Sequence, residues 1–586
     1  MMDNSETLSP STRLAVVLAG ALQGVLCYAI TWYIGHAKLP SDTLWLMCVI
    51  PATVVMTTTM SLAVTSFRKP FLWLALGLIG AAVAGMGGWL KWSVAGLESW
   101  SLRDEMLIFG FHLLLMTLLV LPWLQRHLDP VPTTSFYSDF YQRNWHNALT
   151  LLIIFVSNGL FWLVLFLWAE LFELIGIGFF DWLFFHSDGF ISVAIGVVSA
   201  SAAVLTRMQV RLILALQHLL TLIATGLLPL MAALALLFIG ALPIVGFETI
   251  SARISAAGLL TTLALLLLFL VTIVWHPQRQ TLPYYAPLRG IIRLAVAIVP
   301  AYPVLAGWAL WLRISQYGWS PERLYGVLIT IVALVWAVGF CASVLIQRRE
   351  PEKIHAYVIP ATGLLSLIFL ALIHTPVLDP WRISVASHMA RYQEGRITAD
   401  QVSLYMLSNA GRKGREAMLT LQNDPQFISN PKRQREINGL LSGNAGGAGK
   451  MTAAMLEKQV QLAPGMARPD KALWQAMLSN QYRFESCDSA QSNCLLMPLD
   501  LNSDGMPEAV LFQFTDRTIV AYTQTDTGWR IAGDAWKMPE ALTREELDRA
   551  LRQRKVKSVV KPWADIEIFG ERVDMSYDSY NNAQWR

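Results

Sequence analysis

The alternation of apolar and polar stretches divides this chain into two parts that meet near Pro376. Before that residue lie about eleven apolar stretches, each close to the roughly 20 residues that a helix needs to cross a bilayer. Runs such as 259–274 are continuously apolar and lack the alternation of barrel strands, so they predict helices. The expected spans are 14–35, 43–66, 71–95, 106–124, 147–169, 190–206, 212–240, 256–275, 290–312, 324–346 and 355–375.

Composition supports a chain whose main solvent is lipid. Hydrophobic residues make up 54% of the chain and charged residues only 15%, against roughly 25% charged residues in soluble domains. We therefore expect a mostly α fold: a polytopic transmembrane helical bundle of about eleven spans with a C-terminal soluble α+β domain. The net charge is only +4 and no basic stripe with interleaved aromatic residues occurs, which argues against nucleic-acid binding.

Local patterns subdivide the soluble part. We expect a bundle over 1–375, an extracytoplasmic helical segment over 376–485 and an extracytoplasmic β-rich segment over 486–586. Strand-like runs begin near 509, 518 and 529. A helix is expected over 543–554, because Thr543 and Glu546 have the spacing of a capping box.

Loop charge predicts the orientation of the bundle, because Lys and Arg are retained on the cytoplasmic side. One set of alternate loops is clearly basic, whereas the other mixes a few basic residues with acidic ones. The basic set predicts a cytoplasmic N-terminus and, with an odd number of spans, a periplasmic C-terminal domain in a bacterial inner membrane. The basic set comprises Arg13, Arg68, Lys69, Arg126, Arg143, Arg207, Arg211, Arg279, Arg289, Arg348, Arg349 and Lys353.

The cysteines agree with this orientation. Cys27, Cys48 and Cys341 lie in apolar stretches and are interpreted as small core residues. Cys487 and Cys494 lie close together in a polar segment. Such a pair in an exported domain predicts a disulfide, and the alternative is two free thiols.

Three segments carry a resemblance to a known family. They are HPQRQTLPYYAPLRG (276–290), QYGWSPERLYGV (316–327) and DPWRISVASHMARYQEGRITADQVSLYMLSNAGRKGREAM (379–418). The chain resembles the bacterial membrane family known as domain of unknown function 4153 over roughly residues 10 to 420. The resemblance implies an integral inner-membrane protein and supplies no activity or catalytic residues.

The segment 500–508 has the spacing of a calcium loop. Ca²⁺ takes six to eight oxygen ligands, and a Gly at the sixth position permits the sharp turn. The position expected of an EF-hand glutamate holds Leu511, so the loop resembles the strand-flanked loops of integrin-type propellers. We expect structural Ca²⁺ binding, and the alternative is an ordinary Asx-rich turn. The predicted ligands are Asp500, Asn502, Asp504, the carbonyl of Met506, and Glu508.

A second polar cluster lies at the end of the fifth span. Glu170 and Glu173 share a helix face, and Asp181 follows. Ionisable residues at membrane depth often mark ion or proton paths, so these residues with His218 form a candidate ion or proton site. The alternative is that the acids reach the headgroups and water. A lone His in a span, such as His112, more often bonds to a neighbouring helix.

No catalytic motif occurs: the sequence has no G-x-S-x-G elbow and no H-E-x-x-H pair. GNAGGAGK (443–450) resembles a phosphate loop but lacks its first Gly and the following Ser or Thr. We therefore favour an envelope anchoring, regulatory or ligand-binding protein over an enzyme. Its expected partners are the lipid bilayer and an envelope protein or lipid-linked ligand. The alternatives are a transporter or flippase for a small or lipid-linked substrate, and a membrane glycosyltransferase.

Overall fold

The structure is a computed structural model of the chain. It forms two compact units, Met1–Ala417 and Met418–Arg586. The residues it describes are 8–36, 45–95, 97, 99–130, 135–245, 256–277, 281–346, 352–441, 453–464, 466–479, 487, 494–502, 504–514, 518–525, 528–535, 543–553, 566–568 and 571–573.

The first unit is built from helices throughout its described residues. Eleven helical segments there are long and apolar enough to cross a membrane. One of these segments consists of two consecutive helices, α10 and α11. With the short α6, the helices are α1 (Pro10–His36), α2 (Ile50–Ala63, preceded by a π-helix over Trp45–Val49), α3 (Pro70–Ser93), α4 (Ser99–Leu128), α5 (Phe136–Glu173), α6 (Phe179–Asp181), α7 (Asp188–Met208), α8 (Val210–Val245), α9 (Ala256–Val274), α10 (Ala286–Ile298), α11 (Ala301–Tyr317), α12 (Pro321–Leu345) and α13 (Glu352–Ile373).

The expected mostly α bundle with a C-terminal strand region is confirmed, and two spans differ from their predicted form. The span expected over 290–312 is divided into α10 and α11, and Pro300 lies in the break between them. The span expected to begin at 147 begins at Phe136, where Ser135 caps the helix by accepting from the N–H of Ser138. The phosphate-loop-like segment 443–450 lies outside the described residues.

Helices α1 and α7 meet backbone to backbone. A Cβ added at Gly20 would lie 2.5 Å from the carbonyl oxygen of Gly196 and 2.6 Å from the Cβ of Ala200. A Cβ at Gly196 would in turn overlap the carbonyl oxygen of Gly20. Small residues allow such close crossings between helices in lipid, where packing replaces the hydrophobic driving force.

Polar side chains at one end of the bundle bind one another. Gln125 of α4 and Asn147 of α5 exchange amide hydrogen bonds of 2.8 and 2.9 Å. Buried Asp139 lies between Arg126, at 2.9 Å, and Arg143, at 2.8 Å. A buried polar group without a partner is costly, so these contacts fix the register of α4 against α5.

Short helices follow the last span at the opposite end of the bundle. We call residues 374–417 the cap. The cap contains α14 (Pro380–Gln393), a 3-10 turn (Ala399–Gln401), α15 (Leu404–Ser408) and the first part of α16 (Gly411–Gln422).

The second unit contains a sheet with helices on both faces. The strand order is β1-β2-β3-β4-β5, with β1 parallel to β2 and the remaining pairs antiparallel. Leu511 of β3 faces the cluster that includes Trp474, whereas Val510 faces the cluster that includes Leu547. The capping box expected at Thr543 and Glu546 is present, with bonds of 3.0 and 3.3 Å.

The elements of this unit are the end of α16, α17 (Pro425–Ile428), α18 (Pro431–Leu441), α19 (Ala453–Gln459), β1 (Gln461–Leu462), α20 (Lys471–Ser479), β2 (Cys494–Leu499), β3 (Glu508–Gln513), β4 (Thr518–Thr525), β5 (Gly528–Ala535), α21 (Arg544–Arg552) and the hairpin β6 (Ile566–Ile568) and β7 (Glu571–Val573). Successive side chains of β3 point to opposite faces of the sheet, and helices cover both faces, so every residue of this strand is buried.

Candidate ligand cleft at the end of the third helix

Two tryptophan–carboxylate hydrogen bonds fasten the cap to the bundle. The indole N–H of Trp89 on α3 donates to Oδ2 of Asp379 at 2.9 Å, and Trp381 donates to Oε1 of Glu105 at 2.8 Å. Asp379 also caps α14, because its Oδ1 accepts from the N–H of Arg382 at 2.9 Å. One carboxylate, only 5% exposed, therefore joins the start of α14 to a transmembrane helix.

The other side of α14 packs on the turn between α11 and α12. The hydroxyl of Ser387 accepts from the N–H of Trp319 at 3.1 Å, and Ser384 donates to the carbonyl of Trp319 at 3.2 Å. Gly318 in this turn has φ +81°, and a Cβ there would lie 2.9 Å from side-chain atoms of Ser387 and Arg391. A left-handed glycine thus allows the cap to approach the bundle.

A histidine in the cap stabilises its fold. Nε2 of His388 accepts the backbone N–H of Ser403 at 3.1 Å. Burial lowers the pKa of His388, and the positive charge of Arg391 lowers it further. Both effects favour the neutral ring, which can accept this bond, so the contact is present above the ordinary histidine pKa and lost as the ring protonates.

A buried histidine pair lies beside the junction of cap and bundle. Nδ1 of His112 on α4 and Nε2 of His374 are 3.0 Å apart, so one ring donates to the other. The ring of Phe109 packs edge-on against His374, with centroids 4.9 Å apart. His112 therefore bonds to a neighbouring helical segment, as its position in a span predicted.

An open cleft of about 580 Å³ follows the flank of α3 at this end of the bundle. Its floor is the small-residue face of α3, and its upper wall is the start of the cap. A Cβ added at Gly85 meets no atom within 4 Å, so this glycine faces open space. We call this cavity the Trp89 cleft, and it is lined by Ala82, Gly85, Met86, Gly88, Trp89, Trp92, His374, Thr375 and Pro376.

The rim of the Trp89 cleft is aromatic and basic. The rings of Trp89 and Trp92 stack with centroids 4.7 Å apart and an interplanar angle of 25°. The guanidinium of Arg412 lies 4.8 Å from the ring centroid of Trp92, and the ammonium of Lys413 lies 5.5 Å from it. Glu416 accepts from Lys413 at 2.6 Å, and this bond lowers the pKa of the Glu416 carboxyl.

A second cleft, about 300 Å³ in volume, lies between α2, α3 and α4. Its lining is almost wholly aliphatic and aromatic, and includes Val54, Leu90 and Phe109. Phe109 belongs to this second cleft and its ring contacts His374, which lines the Trp89 cleft. The rings of Phe109 and His374 therefore connect the linings of the two clefts.

The residues of the predicted ion or proton site lie on the surface. Glu170 and Glu173, at the end of α5, are exposed, and so is His218 on α8. Asp181 lies 3.3 Å from His186. Neither cleft is lined by any of these residues, and the ion or proton role remains a prediction.

The predicted calcium loop connects β2 to β3. The N–H of Gly505 donates to Asp500 at 3.1 Å, and the N–H of Met506 donates to Asp504 at 2.7 Å. Asn502 donates its side-chain amide to Asp504 at 2.7 Å. Gly505 has φ +84°, as the sharp turn of such a loop requires.

Glu508, the last predicted ligand, is buried at 3% exposure. Its Oε2 accepts from the N–H of Leu501 at 2.8 Å and its Oε1 from the hydroxyl of Thr523 at 3.2 Å. Glu508 therefore closes the loop onto the sheet. Across the described part of the chain, no three or more His, Cys, Asp and Glu side chains are arranged to hold a metal ion.

The two cysteines of the polar segment are paired. The sulfur atoms of Cys487 and Cys494 lie at disulfide distance, 2.10 Å apart, as their spacing predicted. Both side chains are buried in the same core as Trp474. The bond joins the start of β2 to the preceding segment.

The sequence contained weak signals for the Trp89 cleft. Trp89 and Trp92 were expected only as part of a span, and Asp379 only as part of a family-like segment. The pairing of Trp89 with Asp379 joins residues separated by 290 positions, which no local pattern reveals. The useful signal was Asp379-Pro380, a pair typical of a helix start. An N-cap aspartate uses one carboxylate oxygen for its own helix, and the other oxygen can accept from a second donor, here Trp89.

Comparison with known proteins agrees with the resemblance of three segments. The profile of the family described as domain of unknown function DUF4153 matches residues 13–421. No curated protein and no solved structure matches the chain. The matched range covers the bundle and the whole cap, including every residue that lines the Trp89 cleft. The chain is therefore a member of the DUF4153 family, and its eleven candidate spans make it a multi-pass membrane protein.

Proposed function

We propose that this protein is a membrane-embedded binding protein in which the bundle anchors the C-terminal unit and the Trp89 cleft binds an amphiphilic membrane molecule. The observation that carries the proposal is the cleft itself. Its volume of about 580 Å³ falls within the roughly 300–1,000 Å³ of small-molecule sites. Its apolar floor on a transmembrane helix and its basic, aromatic rim match an amphiphile at the membrane surface.

Filling the cleft tests this function. Replacing Gly85 by leucine adds a side chain where no protein atom lies within 4 Å, so the fold should tolerate it. We expect the affinity of the variant for lipid at this site to fall at least about tenfold, which is a loss of about 1.4 kcal/mol or more in binding free energy. The measurement is native mass spectrometry of the purified full-length protein titrated with dioleoyl phosphatidylglycerol and dioleoyl phosphatidylcholine.

Gly77 provides the matched control. It lies on the same helix α3, and a Cβ there also meets nothing within 4 Å, but it does not line the cleft. Gly77→Leu should retain lipid as the wild type does. If Gly85→Leu and Gly77→Leu both retain wild-type lipid counts, the Trp89 cleft is not the binding site and the proposal is wrong.

We further propose that the protein lies in the bacterial inner membrane with its C-terminal unit in the periplasm. The basic loops and the odd number of candidate spans support this orientation. The disulfide between Cys487 and Cys494 also supports it, because such bonds persist in oxidising compartments. A periplasm-specific reporter fused after Arg586 should be active, and activity of a cytosol-specific reporter instead would contradict the orientation.

We propose a structural calcium role for the loop 500–508. The donor set of Asp500, Asn502 and Asp504 and the left-handed turn at Gly505 support it. A weak extracytoplasmic site has a Kd of about 10⁻⁴–10⁻³ M, so millimolar Ca²⁺ should raise Tm by a few degrees. Thermal unfolding with Ca²⁺ and with chelator measures this, and Asp504→Asn should reduce the difference. An equal Tm in both conditions would leave the loop as an Asx-rich turn.

Transport remains the alternative function. Neither cleft described above is lined by Glu170 or His218, the residues that the sequence assigned to a transport path. The position of the Trp89 cleft at one end of the bundle favours binding and anchoring over passage through the bundle.

A further inference from the structure

The basic rim of the Trp89 cleft differs in chemistry from its floor. The floor is formed by small and apolar residues of α3. Arg412 and Lys413 do not line the cleft themselves, and their charged groups lie against the ring of Trp92 at its rim. Both cations remain accessible: the Arg412 side chain is 48% exposed and that of Lys413 is 36% exposed. Two hydrogen-bonding cations are therefore held on the ring of Trp92, which itself lines the cleft.

The position of these cations is fixed by backbone packing. Gly411 begins α16 with φ +56°, and its Cα lies so close to the carbonyl of Ser93 that an added Cβ would overlap that oxygen. Ser93 is the last residue of α3. The start of α16 is thus held at the end of α3, and Arg412 and Lys413 follow directly, in contact with the ring of Trp92.

We infer that the rim recognises the phosphate of an anionic phospholipid whose acyl portion lies along the floor of the Trp89 cleft. This inference rests on the proposed function and names its ligand. A guanidinium and an ammonium are the preferred side-chain partners of phosphate, and a tryptophan pair favours the headgroup level. The occupant comes from the bilayer, because the floor of the cleft is the flank of a transmembrane helix.

Glu416 opposes this binding. It bonds to Lys413 at 2.6 Å and to Arg412 at 3.4 Å, and its side chain is 47% exposed. A lipid phosphate must share both cations with this carboxylate. Removing the charge of Glu416 should therefore strengthen the binding of an anionic lipid, an effect opposite in sign to the removal of Arg412.

The experiment measures headgroup selectivity in the full-length protein. Native mass spectrometry gives apparent affinities for dioleoyl phosphatidylglycerol and for dioleoyl phosphatidylcholine, and their ratio is the selectivity. Arg412→Gln should lower this ratio about fivefold and the Arg412→Gln/Lys413→Gln double variant further, because each cation near a membrane surface contributes a comparable factor. Glu416→Gln should raise the ratio.

The cap supplies a matched control in Arg396. This arginine is also exposed and also pairs with a carboxylate, that of Glu394 at 2.9 Å, but it does not lie over the ring of Trp92 as Arg412 and Lys413 do. Arg396→Gln should leave the selectivity unchanged. Inorganic phosphate, added as a competitor without lipid acyl chains, should displace phosphatidylglycerol only weakly; complete displacement would identify a free-phosphate site and overturn the lipid assignment.

The outcomes separate this inference from the proposed function. Suppose that Gly85→Leu abolishes binding of both lipids while Arg412→Gln leaves the headgroup selectivity unchanged. The cleft then binds lipid without recognising its phosphate, and this inference is wrong. If Arg412→Gln and Arg396→Gln lower selectivity equally, general surface charge is responsible and the inference also fails. Retention of both lipids by Gly85→Leu removes the proposed function together with the inference.

Discussion

Replacing Gly196 by leucine is expected to prevent the bundle from folding, with a loss of more than about 3 kcal/mol. Even a single Cβ at this position overlaps the carbonyl oxygen of Gly20 on α1. Backbone atoms cannot rotate aside as a flexible side chain does, so α1 and α7 must separate. The separation would also disturb the core shared by Val16 of α1 and Ala200 of α7.

The measurement is the yield of monodisperse full-length protein on size-exclusion chromatography after extraction, followed by its Tm. Gly226→Leu is the control. Gly226 lies on α8, is exposed, and has no atom within 4 Å of an added Cβ. A normal yield of Gly196→Leu with a Tm equal to that of Gly226→Leu would show that the α1–α7 contact contributes little.

Replacing Asp379 by alanine is expected to release the cap from the bundle, with a loss of roughly 2.5–4 kcal/mol. Loss of the N-cap of α14 accounts for about 1 kcal/mol. Loss of a charged acceptor costs about another 1.5–3 kcal/mol, because the indole N–H of Trp89 is left without its carboxylate. Hydrogen–deuterium exchange should accelerate across α14, and proteases should cut the cap more readily.

Two further variants separate the roles of this carboxylate. Trp89→Phe keeps an aromatic ring and removes the donor, so it tests the hydrogen bond between Trp89 and Asp379 while leaving the N-cap of α14 intact. Asp104→Asn removes an exposed carboxylate at the same end of the bundle and should leave exchange unchanged. If Trp89→Phe has no effect on the cap while Asp379→Ala does, Asp379 acts only as a helix cap. A double-mutant cycle measures the coupling.

The overall architecture could be predicted because lipid imposes a strong local rule. An uninterrupted apolar run in a bilayer must be helical, so the spans could be located without knowledge of their neighbours. The capping box at Thr543 could be predicted from equally local chemistry. The capped helix starts at Ser135 and Asp379 were not predicted. The disulfide between Cys487 and Cys494 could be anticipated from their separation of seven residues.

Contacts between distant helices could not be predicted in this way. On α3, Gly80 packs against the side chain of Met56 and Gly87 against the backbone of Met47, whereas Gly77 and Gly85 face open space. A further backbone crossing joins Gly20 of α1 and Gly196 of α7, two helices that are far apart in the sequence. Composition reveals that a helix face permits close approach, but the choice of partner depends on the packing of the whole bundle.

The backbone contact between Ser93 and Gly411 has a mechanical consequence. No side chain lies between the two main chains at this point to absorb a displacement. A shift or tilt at the tip of α3 must therefore carry the first turn of α16 with it. If a change in membrane thickness tilts α3, this contact would therefore also move the start of α16, which follows the last span.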